Sequence, residues 1–583
     1  MFLLLLVVGT AVSRCLHDET QKSVTLLRPH LSQPAPSFRF SALTLSGSHE
    51  PQPLRIRTYS IRDPVSDGAW EPEGAGMRGG PRALALAAAR QAAQQLQGML
   101  TGYPKMAPAH LQILTLGRCS LLNPGYKGES CLGAKIPDAH LRGYTLWPEH
   151  GPPQLVQPDG PGIQDTDFLL YVWVAHTSKC RGEPSVIAYA ACCQLDSEDR
   201  PLAGTIIYCA QHLSSPSLSH SDIVMVTLHE LLHALGFSGQ LFKKWRDCPS
   251  GPSVRENCST RQQVTRRDEW GQLLLTTPAV SHSLARHLGV PGASPGVPLE
   301  EEGTLSSHWE ARLLQGSIMT ATFDGARRTR LDPITLAAFE DSGWYRVNHS
   351  AAEELPWGQG SGLEFGLVTT CGAGSSDFFC TGSGLGCHYL HLDKGSCSSD
   401  PMLEGCRMYK PLANGSECWK KENGFPPGAE NPHGEIYHSQ SRCFLANLTS
   451  HLLREDETRH PSEIPHPVEA ELTGRCYLHQ CTERGAYEVR AEGTAWVPCL
   501  PGKAIQIPGY SGLLLCPRGR LCQTFKGTNA VTSPPVSLPP QALLFQLSLQ
   551  LAGPPGPSVG KEELDGLTEA VLQALVSRGG TGR

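Results

Sequence analysis

The chain has 583 residues, of which 40% are hydrophobic and 18% charged, so it is long enough to bury large cores and to form two to four domains. Its net charge of -6 is small for this length and gives no support to nucleic acid or an anionic membrane surface as a partner. The 21 cysteines, with 60 glycines and 47 prolines, indicate a loop-rich protein that is held by disulfides and folds in an oxidising compartment.

The amino-terminal residues predict export. Residues 1–8 form a short apolar run, and small residues follow as far as Ser13, as at a site cut by signal peptidase. We therefore predict a signal peptide over residues 1–13 and a secreted or cell-surface protein. Sequons at Asn348, Asn414 and Asn447 fit glycosylation on that route, whereas Asn257 is a weaker site because the next residue is a cysteine expected to pair.

Residues 14–52 have the composition of a pro-segment, because they are rich in proline and serine and show little periodicity. Loss of Cys15 with this segment would leave an even number of cysteines, which can pair completely. A thiolate is a better zinc ligand than water, so Cys15 is a candidate to fill the open position of a zinc site and keep an enzyme latent. The alternative is that Cys15 forms a disulfide.

Residues 53–350 predict an α+β catalytic domain. A helix is predicted over residues 81–100, with Pro81 suited to its first position. Strands are predicted from alternating or continuous apolar residues over 54–59, 167–175, 186–193 and 203–209. Strand, helix, three strands and a further helix favour a mixed sheet with helices packed against it.

That further helix contains the residues that carry chemistry, in the stretch TLHELLHALGF over positions 227–237 around His229, Glu230 and His233. Residues four apart share a helix face, so both imidazoles can reach one Zn²⁺, and Glu230 can act as a general base on water. Asp222 is predicted as the N-cap and Gly236 as the end of the helix. The alternative is a satisfied pair of core histidines with a capping glutamate.

A catalytic zinc usually has three protein ligands, so a third is needed. The compact pattern would place a histidine at position 239, but that residue is glycine, and the ligand must return after a loop-rich insertion over 239–304. His308 is the candidate, and Met319 could form the floor beneath the metal. Spacing alone does not single out His308 among 23 histidines.

Four motifs in this order resemble the leishmanolysin family of metzincin zinc peptidases: HELLHALGF, SSHWEARLL, SIMTA and LAAFEDSGWYRVN. The segment RCLHD resembles the latency segment of that family. The resemblance implies a metzincin-like catalytic fold and one Zn²⁺ per chain. It also implies a role for each matched residue, with His229, His233 and His308 as ligands, Glu230 as the catalytic residue, Met319 as the Met-turn and Cys15 as the ligand in the latent form.

Residues 351–530 are predicted as a cysteine-rich domain, with twelve cysteines between Cys371 and Cys522. This region could position substrate, or it could be a stabilising cap. A proline-rich linker over 533–540, a strand over 543–551 and a helix over 561–577 predict the start of another module within 531–583. No stretch has the ~20 apolar residues of a transmembrane helix, although cell-surface association is compatible with the resemblance.

These features predict a zinc endopeptidase that acts on protein or peptide substrates. Glu230 would take a proton from the attacking water and deliver it to the leaving amine. The substrate is predicted to pair with an edge strand over 201–209. The alternative function is a non-catalytic zinc-binding adhesion or signalling protein. The sequence does not indicate the natural substrate, the activating protease or the oligomeric state.

Overall fold

The computed structural model of the chain describes the following residues: 15–24, 26, 52–61, 80–102, 129–141, 144–146, 151–152, 154–158, 160–213, 215, 218–248, 258–292, 294–300, 306–372, 378–426, 428–451, 471–482, 487–518 and 521–522. The predicted signal peptide, most of the predicted pro-segment, Asn257 and the module predicted over 531–583 lie outside these residues.

Ten α-helices and 27 strands occur among the described residues. The helices are α1 (His17–Lys22), α2 (Pro81–Met99), α3 (Ser178–Gly182), α4 (Ala210–Leu213), α5 (His220–Leu235), α6 (Gly239–Phe242), α7 (Pro278–Leu288), α8 (Ala311–Leu314), α9 (Pro333–Asp341) and α10 (Val368–Cys371). The first sixteen strands are β1 (Gln52–Pro53), β2 (Ile56–Ser60), β3 (Leu100–Gly102), β4 (Ser130–Cys131), β5 (Ala134–Lys135), β6 (Tyr144–Leu146), β7 (Gln154–Gln157), β8 (Phe168–Ala175), β9 (Ala188–Leu195), β10 (Pro201–Cys209), β11 (Arg246–Asp247), β12 (Ser259–Thr260), β13 (Thr265–Arg267), β14 (Leu273–Leu275), β15 (Val297–Pro298) and β16 (Arg346–Val347). The others are β17 (Leu385–Cys387), β18 (Lys394–Ser398), β19 (Met408–Pro411), β20 (Ser441–Ala446), β21 (Thr449–Ser450), β22 (Thr473–Cys481), β23 (Tyr487–Arg490), β24 (Val497–Cys499), β25 (Ala504–Ile505), β26 (Tyr510–Ser511) and β27 (Leu514–Leu515).

A four-stranded mixed sheet in the order β2-β8-β10-β9 forms the centre of the part of the chain that precedes the cysteine-rich region. The strands β2, β8 and β10 are parallel, and β9 runs antiparallel to β10 at the edge. Every residue of β9 and β10 is buried, which explains the continuous apolar runs in the sequence. The four predicted strands and the mixed α+β class are confirmed.

Helices α2 and α5 pack against one another and against this sheet. The buried face of α2 consists mainly of alanine, and these small side chains allow the backbones of neighbouring elements to approach closely. The side chain of Gln97 in α2 also donates to the carbonyl of Ile56 in β2. The helix predicted over residues 81–100 is confirmed.

The helix α5 begins three residues earlier than the sequence predicted. Its N-cap is Ser219, whose hydroxyl accepts from the Asp222 amide while the Asp222 carboxylate accepts from the Ser219 amide. Asp222 is therefore the third residue of the helix and forms a capping box with Ser219, and its prediction as the N-cap was wrong. Gly236 ends the helix as predicted, with a φ of 142°, and an added Cβ there would lie 2.9 Å from the Trp344 ring.

The insertion over 239–304 is more regular than the predicted loop. It contains α6 and α7 as well as the sheet β13-β14-β15, and the Cys248–Cys258 disulfide lies beside the β11-β12 hairpin. Pro278 starts α7, whose apolar side chains enter the main core, and Gly289 ends it in the left-handed conformation.

Six disulfides pair all twelve cysteines between Cys371 and Cys522, as the disulfide-rich prediction required. The pairs are Cys371–Cys406, Cys380–Cys397, Cys387–Cys443, Cys418–Cys476, Cys481–Cys522 and Cys499–Cys516. This part contains the sheet β17-β18-β19 and a six-stranded sheet in the order β24-β23-β22-β20-β27-β25. The main core of the preceding part of the chain extends into it as far as Met408, so the two parts share buried surface.

Candidate metal centre and substrate cleft

The two histidines of α5 lie one turn apart and point to the same place. The Nε2 atoms of His229 and His233 are 3.0 Å apart. Glu230 and His233 are both buried in a helix whose other inward side chains are apolar. Buried polar groups need partners, so the structure must supply them on this face of α5.

His308 reaches the same place from 75 residues further along the chain. Its Nε2 lies 3.2 Å from that of His233. The neighbouring Trp309 holds the segment in place, because its amide donates to the Met319 carbonyl and its buried ring packs edge-on against Phe237 at 4.7 Å between centroids. The structure thus brings the three predicted histidines together.

Cys15 completes the cluster. Its Sγ lies 3.5 Å from Nε2 of His233, and the ligand atoms of Cys15, His229, His233 and His308 all lie within 4.8 Å of one another. A tetrahedral zinc site would separate its nitrogens by about 3.4 Å and its sulfur from a nitrogen by about 3.6 Å. The separations of the donor atoms therefore fit a four-coordinate zinc ion.

Backbone carbonyls fix the orientation of two of the imidazoles. Nδ1 of His229 lies 2.5 Å from the carbonyl oxygen of Ile318, and Nδ1 of His233 lies 2.7 Å from that of Phe237. A carbonyl only accepts, so each Nδ1 carries the proton and each Nε2 presents a lone pair. Two lone pairs that face each other at 3.0 Å repel unless a cation lies between them. This arrangement fits a metal better than a pair of structural histidines.

Burial keeps the three imidazoles neutral. It lowers the pKa of His229 to about 4, and burial, helped by the other histidines, lowers the pKa of His233 and His308 well below the usual range. Burial also raises the pKa of Glu230 to about 8. Neutral imidazole is the form that binds metals.

A hydrogen bond from the edge strand β9 fixes the orientation of the Glu230 side chain. Its Oε2 accepts from the Ala190 amide of β9 at 2.8 Å, while its Oε1 lies 3.5 Å from the Cys15 thiol. One carboxylate oxygen is therefore fixed to the backbone, and the other faces the space beside the histidine nitrogens. A group placed in this way can exchange a proton with a molecule that takes the position of the thiol.

Met319 lies in a buried turn between two residues that shape the site, Ile318 and Thr320. The Ser317 hydroxyl stabilises this turn, because it lies 3.4 Å from the Met319 amide and donates to the buried carboxylate of Asp332. The role of Met319 as the floor of the metal site stays a prediction.

The segment that carries Cys15 docks on β9. The side-chain amide of Gln21 in α1 pairs with the backbone of Cys192. Its Nε2 donates to the Cys192 carbonyl and its Oε1 accepts from the Cys192 amide, both at 2.9 Å. Nδ1 of His17 lies 3.0 Å from the Ala190 carbonyl, and the His17 ring stacks on His233 at 4.1 Å. Asp18 accepts from the amide and hydroxyl of Ser307, next to His308.

These contacts correct one prediction and extend another. The strand over 201–209 was predicted to be an edge, but β10 lies between β8 and β9, and the edge beside the histidines is β9. The sequence gave no sign of Ala190 or Cys192 as contact residues. His17 and Asp18 lie within the RCLHD motif that carried the resemblance, but no role was predicted for them.

Cys15 forms no disulfide in the structure, so that alternative is wrong. The expectation that the remaining cysteines all pair is not met at Cys192, which is buried with its thiol near the Gln194 carbonyl. Cys119 lies outside the described residues.

A pocket opens beside Glu230 and His229. Its walls come from Ile187 and Ala188 before and within β9, from Met225 and Val226 of α5, and from the segment between Ile318 and Thr329. Apart from Cys15, His229 and Glu230, every lining side chain is apolar or a threonine. The pocket is therefore suited to an uncharged group.

The three sequons fall on accessible or half-buried asparagines. Asn348 and Asn414 are exposed, and Asn447 is half-buried. Glycosylation at these residues stays a prediction. Among the residues that the structure describes, no helix has the length and apolar character needed to cross a bilayer.

Comparison with known proteins agrees with this geometry. Residues 152–404 match the family model described as Peptidase M8, leishmanolysin. The chain is 70% identical to the ciliated left-right organizer metallopeptidase of Homo sapiens, over 99% of this chain and 82% of the relative, and 69% identical to that of Mus musculus, over 99% and 84%. It is 33% identical to the leishmanolysin-like peptidase of Caenorhabditis elegans, over 36% of each chain.

The fold and the clustered histidines are those of a metallopeptidase, and the relatives carry that activity in their names. The chain belongs to the leishmanolysin family. The resemblance read from the motifs is thereby confirmed, whereas the role of each site residue rests on the geometry described above.

Proposed function

We propose that this protein is a zinc endopeptidase that cleaves extracellular or cell-surface proteins, with His229, His233 and His308 as the ligands of one Zn²⁺. The observation that carries the proposal is the convergence of three Nε2 atoms beside the carboxylate of Glu230. Zinc in such a site acts as a Lewis acid and lowers the pKa of water to about 7.

Glu230 is proposed to move the proton. Its Oε2 stays on the Ala190 amide, which holds the carboxylate in one orientation. Its Oε1 faces the position of the Cys15 thiol and takes the proton of the attacking water there. The same oxygen then passes the proton to the amine that leaves, so no covalent intermediate with the protein is required.

The substrate is proposed to bind as an extended chain along β9. The Ala190 carbonyl and both backbone groups of Cys192 face the docked α1, and they become available when α1 leaves. An extended peptide can take over these hydrogen bonds, as in other cases of strand addition at a sheet edge. One of its side chains would then enter the uncharged pocket beside Glu230.

Cys15 is proposed to keep the protein latent. The thiol occupies the fourth position of the cluster, and α1 covers the strand that would bind substrate. Removal of the predicted pro-segment over residues 14–52 would open both at once. In this proposal the signal peptide is removed first and the pro-segment later. The mature protein then consists of the catalytic domain over 53–350, the cysteine-rich domain over 351–530 and the residues that follow.

The names of the vertebrate relatives suggest the setting. Because the human and mouse proteins are called ciliated left-right organizer metallopeptidases, we propose that this chain acts in left-right axis determination. We also propose secretion or display at the cell surface, which the amino-terminal sequence and the nine disulfides among the described residues support.

A second candidate function is a non-catalytic zinc-binding adhesion or signalling protein. The observation that favours it is that Cys15 closes the cluster to four protein ligands, as in structural zinc sites. The two candidates differ in what Glu230 does, because a structural site has no need of a base that faces the metal ligands.

Glu230→Gln separates the two. The processed variant should keep one zinc per chain and the thermal stability of the wild type, while peptide cleavage falls by about 10²-fold or more because proton transfer is lost. Zinc is measured by elemental analysis, and cleavage by release of a fluorogenic peptide. The control is Glu340→Gln, which removes an exposed carboxylate that pairs with His349. Cleavage that survives in Glu230→Gln would contradict the proposed mechanism.

A further inference from the structure

One wall of the pocket is a loop that begins at Ile318, whose carbonyl oxygen lies 2.5 Å from Nδ1 of His229. We call residues 318–330 the pocket loop. Its ends are joined by a hydrogen bond from the Ile318 amide to the Arg330 carbonyl at 2.8 Å. Thr320, Phe323 and Thr329 are among the pocket-lining residues that it supplies. The position of this loop therefore determines how wide the pocket is.

The pocket loop is held from two sides. On the side of α5, the Asp222 carboxylate accepts from the Ala326 amide at 2.8 Å. On the opposite side, the contacts come from the cysteine-rich part of the chain. Arg328 donates to both oxygens of Asp393, from Nε at 2.8 Å and from Nη2 at 2.6 Å.

The Arg328–Asp393 ion pair is rigid. Asp393 is fully buried, and the two parallel hydrogen bonds set both the distance and the orientation of the guanidinium group. Asp393 lies just before β18, between the Cys387–Cys443 and Cys380–Cys397 disulfides, so its own backbone is firmly held. The ion pair therefore restricts the movement of the pocket loop.

A second contact acts in parallel at the surface. The guanidinium carbon of Arg327 lies 4.0 Å from the centre of the Trp419 ring, and Trp419 follows a cysteine of the Cys418–Cys476 disulfide. Arg327 is exposed, so its loss should leave the core unchanged. Both anchors of the pocket loop on this side thus belong to disulfide-held segments.

We propose that the cysteine-rich part of the chain takes part in substrate selection, with Asp393 as a positioning residue that holds the pocket loop through Arg328. The inference rests on the proposed peptidase function, because it concerns the pocket beside Glu230. It distinguishes the two roles considered for this region, since a cap that only stabilises the fold would have no effect on which side chain is accepted.

The test compares full-length protein processed in the same way for the wild type, Asp393→Asn, Arg327→Ala and Glu435→Gln. Glu435 is the matched control, because it is a buried carboxylate of the same region whose ion pairs are with Lys394 and Arg475. Two fluorogenic peptides are used that differ only in having leucine or alanine at the positions flanking the scissile bond. Hydrogen exchange of residues 318–330 is measured alongside.

We expect Asp393→Asn to raise exchange in the pocket loop and to reduce the leucine-over-alanine ratio of kcat/KM by about 3- to 10-fold, since an apolar pocket discriminates by roughly 10-fold or more per methylene. Arg327→Ala should change both quantities in the same direction by less, and it remains informative if Asp393→Asn does not fold. Glu435→Gln should lower the melting temperature without a change in the ratio.

An unchanged ratio in Asp393→Asn and Arg327→Ala, or an equal change in Glu435→Gln, would overturn the inference. If the wild type cleaves neither peptide, the proposed function fails, and the role in substrate selection fails with it. In that case the exchange measurement still decides whether Asp393 holds the pocket loop, so the two failures are distinguishable.

Discussion

At the scale of single residues, the metal cluster depends on hydrogen bonds that no motif specifies. The carbonyls of Ile318 and Phe237 orient two imidazoles, and the Ala190 amide orients Glu230. Such outer contacts of metal ligands typically change affinity by about 10- to 100-fold when they are lost. The affinity of the proposed ligands for a metal would therefore depend on backbone groups contributed by distant segments.

Replacement of Cys15 by serine tests latency at this scale. The serine hydroxyl is a much weaker zinc ligand than a thiolate, so full-length Cys15→Ser should cleave a fluorogenic peptide without processing, whereas the unprocessed wild type should not. Cys192→Ala is the matched control, since it removes the other free thiol of the described residues without touching the cluster. A Cys15→Ser protein as inactive as the unprocessed wild type would refute latency through the thiol.

The HELLH stretch and Gly236 sufficed to predict two of the clustered histidines and the end of their helix, because both follow from local periodicity and backbone geometry. His308 required the family resemblance, since contacts between residues 75 positions apart leave no local pattern. The N-cap was misplaced because Ser219 and Asp222 are both good capping residues and only the fold shows which one precedes the first turn.

At the scale of elements, β9 is the part of the sheet whose role the sequence did not indicate. Its residues are as apolar as those of β10, and burial on both faces hides the difference between a central strand and an edge. Only the strand order of the structure identifies β9 as the edge. The backbone groups that a neighbouring strand would use are bonded to side chains of α1 instead.

Gln21→Ala tests the docking of α1 on this edge. The change removes two hydrogen bonds to Cys192, each worth about 1 kcal/mol. In the full-length protein we expect the Cys192 amide to exchange its hydrogen faster and the residual activity of the unprocessed form to rise by about tenfold. Glu19→Ala, an exposed change in the same helix, should leave both unchanged. Equal exchange in the two variants would show that Gln21 does not anchor α1.

At the scale of the whole molecule, disulfides replace part of the core in the cysteine-rich region. The Cys418–Cys476 and Cys387–Cys443 bonds lie in a small buried cluster separate from the main core. Disulfide density was predictable from the sequence, but the connectivity was not, because twelve cysteines allow many pairings. The shared core up to Met408 was also not predictable, since it joins aromatic residues on both sides of the expected boundary.

Removal of the Cys418–Cys476 bond by two alanine substitutions should lower the free energy of unfolding by about 2–5 kcal/mol. The bond spans 58 residues, whereas Cys248–Cys258 spans 10, so the double-alanine variant of the latter should lose less, by about 1.5 kcal/mol if chain entropy dominates. Denaturant melts monitored by fluorescence measure both. Equal losses would show that native contacts, and not loop closure, determine the contribution of these bonds.

The docking of α1 on β9 also affects the tendency of the protein to aggregate. Once Gln21 and His17 depart, a row of unsatisfied amide and carbonyl groups is presented to solution, and any extended chain can associate with it, including a second copy of the same protein. In the proposed latent form, coverage of β9 by α1 would therefore prevent aggregation and self-cleavage until the pro-segment is removed.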